Sequence, residues 1–242
     1  MAAAKRALIT GSTTNLGLAI AKRLAADGFE VVLNYAEDTE RARAALSLVQ
    51  ESCPSAQLIR ADVTKAPDVS RLFRKASADG PIDVLINNVG RFLFKPFLET
   101  TQTEWDDILA SNLLSAVLCC REVLPTMRGR GTGSIVNIGS MHADAIRATP
   151  NTLPYAIAKS GVVALTKSLA KTEGPHGIRV NAVCPGYVDT ESGQNPAGIE
   201  DRIPLRRLAR SEEIAAAVAF LASDEAAYVS GAILNAHGGA LL

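Results

Sequence analysis

The chain has 242 residues, 48% of them hydrophobic, and carries 25 Lys plus Arg against 25 Asp plus Glu. That apolar share is enough for a buried core and excludes an intrinsically disordered chain. The charge balance gives no overall pull toward nucleic acid or an anionic membrane, and no run is expected to cross a bilayer.

Short aliphatic runs alternate with segments of helical periodicity. Ala7-Leu8-Ile9 comes first, followed by Leu16 to Ala26, apolar at Leu16, Ile20, Leu24 and Ala25. Val31-Val32-Leu33 precedes Thr39 to Glu51, which sets charges against Ala44, Leu48 and Val49. Gln57-Leu58-Ile59 and Val84-Leu85-Ile86 are the next runs, and Glu104 to Met127 reads as a long helix. Ser134 to Ile138, a helix from Tyr155 to Glu173, and Arg179 to Val183 follow. The last helix, Ser211 to Ala222, opens on a serine cap and two acids, and Ala232-Ile233-Leu234 closes the series. Continuous apolar runs suit strands buried on both faces.

Strand, helix, strand repeated in this way predicts an α/β fold: a single Rossmann-type doubly wound parallel sheet of about seven strands flanked by helices. No repeat or linker divides residues 1–242, so one domain is expected. The irregular stretches His142–Pro154 and Tyr187–Leu208 follow strand ends, where open α/β sheets place their ligand crevice. The four cysteines (Cys53, Cys119, Cys120, Cys184) have no metal-ligand spacing and no disulfide framework. Free thiols suit a reducing compartment, and the chain enters its first strand-like segment directly after Met-Ala-Ala-Ala-Lys-Arg, so a soluble cytoplasmic protein is expected.

The first strand leads to the first helix through Thr10-Gly11-Ser12-Thr13-Thr14-Asn15-Leu16-Gly17. In such a turn glycines let the backbone approach a pyrophosphate, and the helix N-terminus offers free N–H groups and partial positive charge. The segment resembles the T-G-x-x-x-G-x-G signature of the short-chain dehydrogenases/reductases, with Asn15 at the middle glycine. Asparagine tolerates positive φ better than most residues.

Further matches to that family span nearly the whole chain. Asp62-Val63 resembles its adenine-contacting pair, Asn87-Asn88-Val89-Gly90 its N-N-A-G segment, and Asn112 its helix asparagine. Pro185-Gly186-Tyr187-Val188-Asp189-Thr190 resembles the segment that holds the nicotinamide end. The resemblance implies dinucleotide contacts from Gly11, Thr13 to Gly17, Asn34 to Ala36, Asp62, Val63, Asn88 to Gly90, Pro185, Gly186, Val188 and Thr190, with Tyr155 and Lys159. A carboxylate at the end of the second strand would bind a ribose 2′-hydroxyl and repel a 2′-phosphate. Tyr35 stands there instead, and Asn34-Tyr35-Ala36 resembles NADP-dependent acyl-carrier-protein reductases. NADP(H) is therefore expected over NAD(H), although Thr14 stands where many NADP users have Arg or Lys and Glu37-Asp38 follow closely.

Tyr155 and Lys159 are four residues apart and share one helix face. A free phenol is a poor base at neutral pH, and a neighbouring ammonium is expected to lower its pKa. The resemblance assigns Ser140 to bind the substrate oxygen and Tyr155 to exchange its proton. It assigns Lys159 to hold the nicotinamide ribose and Asn112 to hold a relay water. His142 reads as a pocket-lining or solvated residue and His176 as a turn residue, while His237 stands where relatives often have Asp.

Hydride transfer between a nicotinamide cofactor and a carbonyl or secondary alcohol is the implied reaction. A 3-oxoacyl group on acyl carrier protein or coenzyme A is the leading substrate, with Arg128, Arg130 and Lys171 available to an acidic carrier. A polyol, sugar or other small ketone is the alternative, and a non-catalytic dinucleotide sensor or scaffold the reading from another class. Tyr187 to Leu208 corresponds to a short substrate lid. Apolar positions on the two long helices (Leu113, Val117, Leu118, Val162, Val163, Leu165, Leu169) suggest a homotetramer or homodimer.

Overall fold

Ala7, Leu8 and Ile9 are all fully buried, as are Leu85 and Ile86, because helices cover both faces of the strands that hold them. The computed structural model describes residues 4–37, 39–145, 148–190 and 195–240. Seven strands are β1 (Arg6–Ile9), β2 (Glu30–Tyr35), β3 (Gln57–Arg60), β4 (Val84–Asn87), β5 (Gly133–Ile138), β6 (Ile178–Pro185) and β7 (Ile233–Ala236). They form one sheet in the order β3-β2-β1-β4-β5-β6-β7, and every pairing is parallel. The order reverses between β1 and β4, which puts a crevice at the carboxyl ends of those two strands.

The helices are α1 (Asn15–Ala26), α2 (Thr39–Gln50), α3 (Ala66–Ala76), α4 (Gln102–Leu109), α5 (Ser115–Arg130), α6 (Leu153–Glu173) and α7 (Ser211–Ala222). Side chains alternate across each strand, so Ile9, Leu33 and Ile86 join a core with α1, α2 and α7. Leu8, Val32 and Leu85 join the opposite core, with α3 and α5 and with Leu169 and Ala170 of α6 packed against it. Each fully buried Leu or Ile contributes about 1.5–3 kcal/mol relative to exposure.

Several expectations shift by a residue or more. The buried face of α2 is Ala42, Ala45 and Val49, while Leu48 is exposed. Helix α3 was not anticipated. The long helix read from Glu104 is capped earlier: Thr101 Oγ1 accepts from the Glu104 N–H, and the Glu104 carboxylate accepts from the Thr101 N–H. It also passes through a π-helical turn at Ala110–Leu114 before α5 begins. Ser211 is the first helical residue of α7 rather than its cap; Glu213 accepts from the Arg210 N–H at 2.8 Å.

The helical stretch Gln102–Arg130 is, against expectation, long and apolar enough to cross a membrane by length and composition. Its residues Cys119, Cys120, Val123 and Met127 pack into the second core, so it serves as a core helix. All four cysteines are free and buried, and burial pushes the Cys120 thiol up to about 12. Val162 and Val163, expected at an interface, lie in the interior.

Candidate active site

The turn after β1 is built around backbone approach. Gly11 has φ +59° and Asn15 φ +44°, so asparagine adopts the left-handed conformation that the middle position of the turn requires. A Cβ on Gly17 would lie 2.2 Å from the Gly11 carbonyl and 2.7 Å from Asn88 Nδ2, a cradle that only glycine leaves open. Asn88 Nδ2 donates to the Thr10 and Gly11 carbonyls at 3.1 and 2.9 Å, tying the end of β4 to the turn. Asn34 is buried and works the same way: its Oδ1 accepts from the Gly11 N–H at 3.2 Å, and its Nδ2 donates to the Ala61 carbonyl at 3.0 Å. Asn34 and Asn88 thus position the turn through their side chains.

A cavity of about 310 Å³ lies against this turn, lined by Gly11, Thr14, Asn15, Gly17, Val89 and Gly90. A second, of about 370 Å³, lies at the ends of β2 and β3, lined by Ala36, Glu37, Arg60, Asp62, Lys65 and Arg71 among others. Both sit at the carboxyl edge of the sheet. Burial pushes the Asp62 carboxyl up, but hydrogen bonds from Thr64 and Lys65 outweigh it and hold the group below its ordinary value. The positive-φ turn and the space beside Gly17 fit the phosphates of a dinucleotide at a helix N-terminus. Asp38, named with Glu37 as a neighbour of the cofactor, lies outside the described residues.

At Gly90 the side chains of Asn112 and Lys159 meet. A Cβ there would lie 2.4 Å from Asn112 Oδ1 and 3.2 Å from Lys159 Nζ. Asn112 sits in the π turn and donates through Nδ2 to the Arg91 and Ile108 carbonyls at 2.8 and 3.0 Å. Its Oδ1 is buried with no partner among the described residues. The bond to Ile108 is to a carbonyl of the preceding turn, and π turns of this kind recur at functional sites. Lys159 Nζ donates to the Ile138 carbonyl at 2.8 Å and stands 5.7 Å from the centre of the Tyr155 ring. Ser140, which follows β5, lies close enough to Tyr155 to act on its phenol. Phe92 packs edge-on to Tyr155, ring centres 5.1 Å apart.

Burial governs the two titrating groups. It raises the Tyr155 phenol above its ordinary value, Ser140 pulling the other way and Cys184 adding to the rise. It lowers the Lys159 ammonium to about 8, with Cys184 opposing. The expected depression of Tyr155 by Lys159 is therefore absent in the chain alone. Desolvation of the phenol outweighs an ammonium that is itself desolvated and directed at Ile138.

The remaining expected residues lie on the neighbouring strand ends. The Pro185 carbonyl accepts from Met141 at 2.9 Å, and Gly186 approaches His237, whose Cα would be 2.7 Å from a Cβ there. Val188 bridges to Ala209, joining the two ends of the 187–208 region. Ile203 in that region is buried and touches the Gly238 backbone, whereas residues 191–194 lie outside the described set. Sequence reasoning missed Phe92 and Arg60; only the packing brings them to the site. A larger cavity of about 640 Å³ opens at the opposite sheet edge, beside Arg6, Arg130 and Arg179. Among the described residues those guanidinium groups are committed to Glu30, to Asp83 and to backbone carbonyls such as that of Leu221.

Residues 11–240 match the family profile described as enoyl-(acyl carrier protein) reductase. A 3-oxoacyl-[acyl-carrier-protein] reductase of Staphylococcus aureus is 34% identical over 241 residues, 97% of each chain. The 3beta-hydroxysteroid dehydrogenase 1 of Eggerthella lenta is 37% identical over 247 residues, covering 98% of this chain and 94% of that one. Among solved structures, a doubly substituted Serratia marcescens short-chain dehydrogenase/reductase aligns with TM-score 0.90 at 33% identity, covering 98% of both chains.

Proposed function

This chain belongs to the short-chain dehydrogenase/reductase family and is an oxidoreductase acting on carbonyl and alcohol groups; from that premise we propose that it reduces 3-oxoacyl thioesters with NADPH. The observation that supports the reading is a chain of neighbours: Asn112 and Lys159 meet at Gly90, Lys159 Nζ lies 5.7 Å from the Tyr155 ring, and Ser140 acts on the Tyr155 phenol. A bound nicotinamide cofactor supplies the hydride. Gly11 to Gly17 and Asn88 to Gly90 would hold its phosphates and Lys159 its nicotinamide ribose. Ser140 donates a hydrogen bond to the carbonyl oxygen of the substrate. Tyr155 hands its phenolic proton to that oxygen as negative charge develops there. A phenol raised by burial stays protonated at neutral pH, which suits the donor role and hence the reductive direction. Asn112 Oδ1 would hold a water that restores the proton, with Lys159 beside it. Positioning and a fixed electrostatic environment are the protein's contribution.

The name of the Staphylococcus aureus relative supports a 3-oxoacyl substrate. Presentation on a carrier draws little from Arg128 and Arg130, which are neutralised by Glu173 and Asp83. A second reading, a bulky apolar ketone, is favoured by Phe92 against Tyr155 and by exposed Phe94, and by the hydroxysteroid named for the Eggerthella lenta relative. We place the enzyme in the cytoplasm as a homotetramer or homodimer, with half-exposed Leu114 and Ile157 on the pairing helices.

The test is absorbance at the reduced-nicotinamide band with NADPH and NADH in parallel. Acetoacetyl-coenzyme A, a 3-ketosteroid and a panel of small ketones serve as substrates. Oxidation of NADPH by the thioester is expected. A preference for NADH would overturn the cofactor assignment, and turnover of the ketones without the thioester would overturn the substrate assignment.

A further inference from the structure

A 2′-phosphate needs a cation, and the neutral Thr14 supplies none. Arg60 ends β3 directly opposite Tyr35, its register partner at the end of β2. The Arg60 Nε donates to the Ala36 carbonyl at 3.0 Å. That bond sets the guanidinium against the end of β2, where open α/β sheets read the ribose 2′ position. Its two terminal nitrogens keep their donors: among the described residues no carboxylate pairs with Arg60.

The other cations lining the same cavity are engaged. Lys65 pairs with Asp62 at 3.2 Å and Arg71 with Asp68 at 2.7 Å. Asp68 also accepts the Asp62 N–H at 3.0 Å. Glu37 is the remaining carboxylate on the cavity wall, and no described cation pairs with it. Among the described residues the cavity thus holds one guanidinium fork and one carboxylate with no charged partner. A guanidinium fork matches phosphate oxygens in pairs, which a lysine cannot do.

We infer that Arg60 receives the 2′-phosphate of NADP(H), with Glu37 opposing it and setting the strength of the preference. The inference rests on the proposed choice of NADP(H), and it supplies the cation that the turn after β1 lacks. Arg60 is a binding residue for the adenosine end and takes no part in the chemistry at Tyr155.

The test is calorimetric titration of the full chain with 2′,5′-ADP and with 5′-AMP, neither of which turns over. Wild type should bind 2′,5′-ADP at least about tenfold tighter than 5′-AMP at low ionic strength, with the margin shrinking as salt rises. Arg60→Met should erase that margin while leaving 5′-AMP affinity within about twofold, and Arg60→Lys should keep only part of it. Glu37→Gln should widen the margin. If wild type shows no preference, the NADP(H) reading fails and the inference with it. If wild type prefers 2′,5′-ADP and Arg60→Met retains the preference, the Arg60 assignment alone fails. Equal weakening of both probes by Arg60→Met would mark Arg60 as a brace for Ala36 and also overturn it.

Discussion

Lys159 offers the sharpest quantitative test, because its ionisation is governed by burial and not by a counter-ion. The side chain is 4% exposed, its ammonium donates to the Ile138 carbonyl at 2.8 Å, and its pKa falls from 10.5 to about 8. Between those values the unfolded chain holds the proton and the folded chain has released it. Stability must therefore rise with pH across that window and, as far as Lys159 is concerned, not change with pH below it. At about 1.4 kcal/mol per pKa unit the full gain is about 3 kcal/mol, of which about 2 kcal/mol is reached by a pH of about 9.5. Urea unfolding of wild type and Lys159→Met over this pH range isolates the contribution, since other titrating groups cancel in the difference. Wild type should gain about 2 kcal/mol on the variant between a pH of about 7 and about 9.5. A flat difference, or wild type losing ground as pH rises, would refute the argument. The same ionisation should appear as a fall in kcat/KM for reduction above about pH 8, because that ratio reports the free enzyme.

Three further outcomes follow from packing. Gly17→Ala places a methyl group 2.2 Å from the Gly11 carbonyl. It should cost about 3 kcal/mol or more and abolish dinucleotide binding, and a wild-type melting temperature would contradict this. Asn137 accepts from Asn87 Nδ2 at 2.8 Å and donates to Thr166 Oγ1 at 2.9 Å. Asn137→Ala leaves both buried partners short and should lose about 2 kcal/mol by urea unfolding, with full stability counting against the network. The Glu173 side chain is only 3% exposed against an Arg128 side chain that is 48% exposed. Arg128→Ala should therefore cost about 1–2 kcal/mol at neutral pH, less than for a fully buried pair. The Arg128 hydrogen bond holds the Glu173 carboxyl below its ordinary value. The penalty should shrink as pH falls through that lowered value, and a penalty constant with pH would contradict the pairing.

The parallel sheet was legible because its strands are continuous aliphatic runs, a pattern that two-sided burial imposes. The candidate catalytic side chains came from the family resemblance, and the fold places Ser140 just after β5, Tyr155 and Lys159 on α6, and Asn112 in the π turn. Helix α3 left a signal that went unread: Val69, Leu72, Phe73 and Ala76 follow the i, i+3, i+4, i+7 pattern, and Pro67 opens the first turn. The face of α2 was misplaced because alanines on both sides of that helix give little contrast. No periodicity announces the π turn, since it depends on where the Asn112 amide finds its carbonyls. The direction of the Tyr155 shift was misjudged because desolvation is set by packing, whereas sequence spacing displays only the neighbouring charge. Arg60 came into view only with the β2–β3 register.

The central claim is that the Tyr155 hydroxyl delivers the proton at a site otherwise complete for binding. Tyr155→Phe removes that one oxygen and keeps the ring against Phe92. The direct measurement is the rate of NADPH oxidation by a carbonyl substrate in wild type and variant, with dinucleotide affinity determined on both. The account predicts a fall of about a hundredfold or more in rate with affinity unchanged. A variant that keeps the wild-type rate would contradict it.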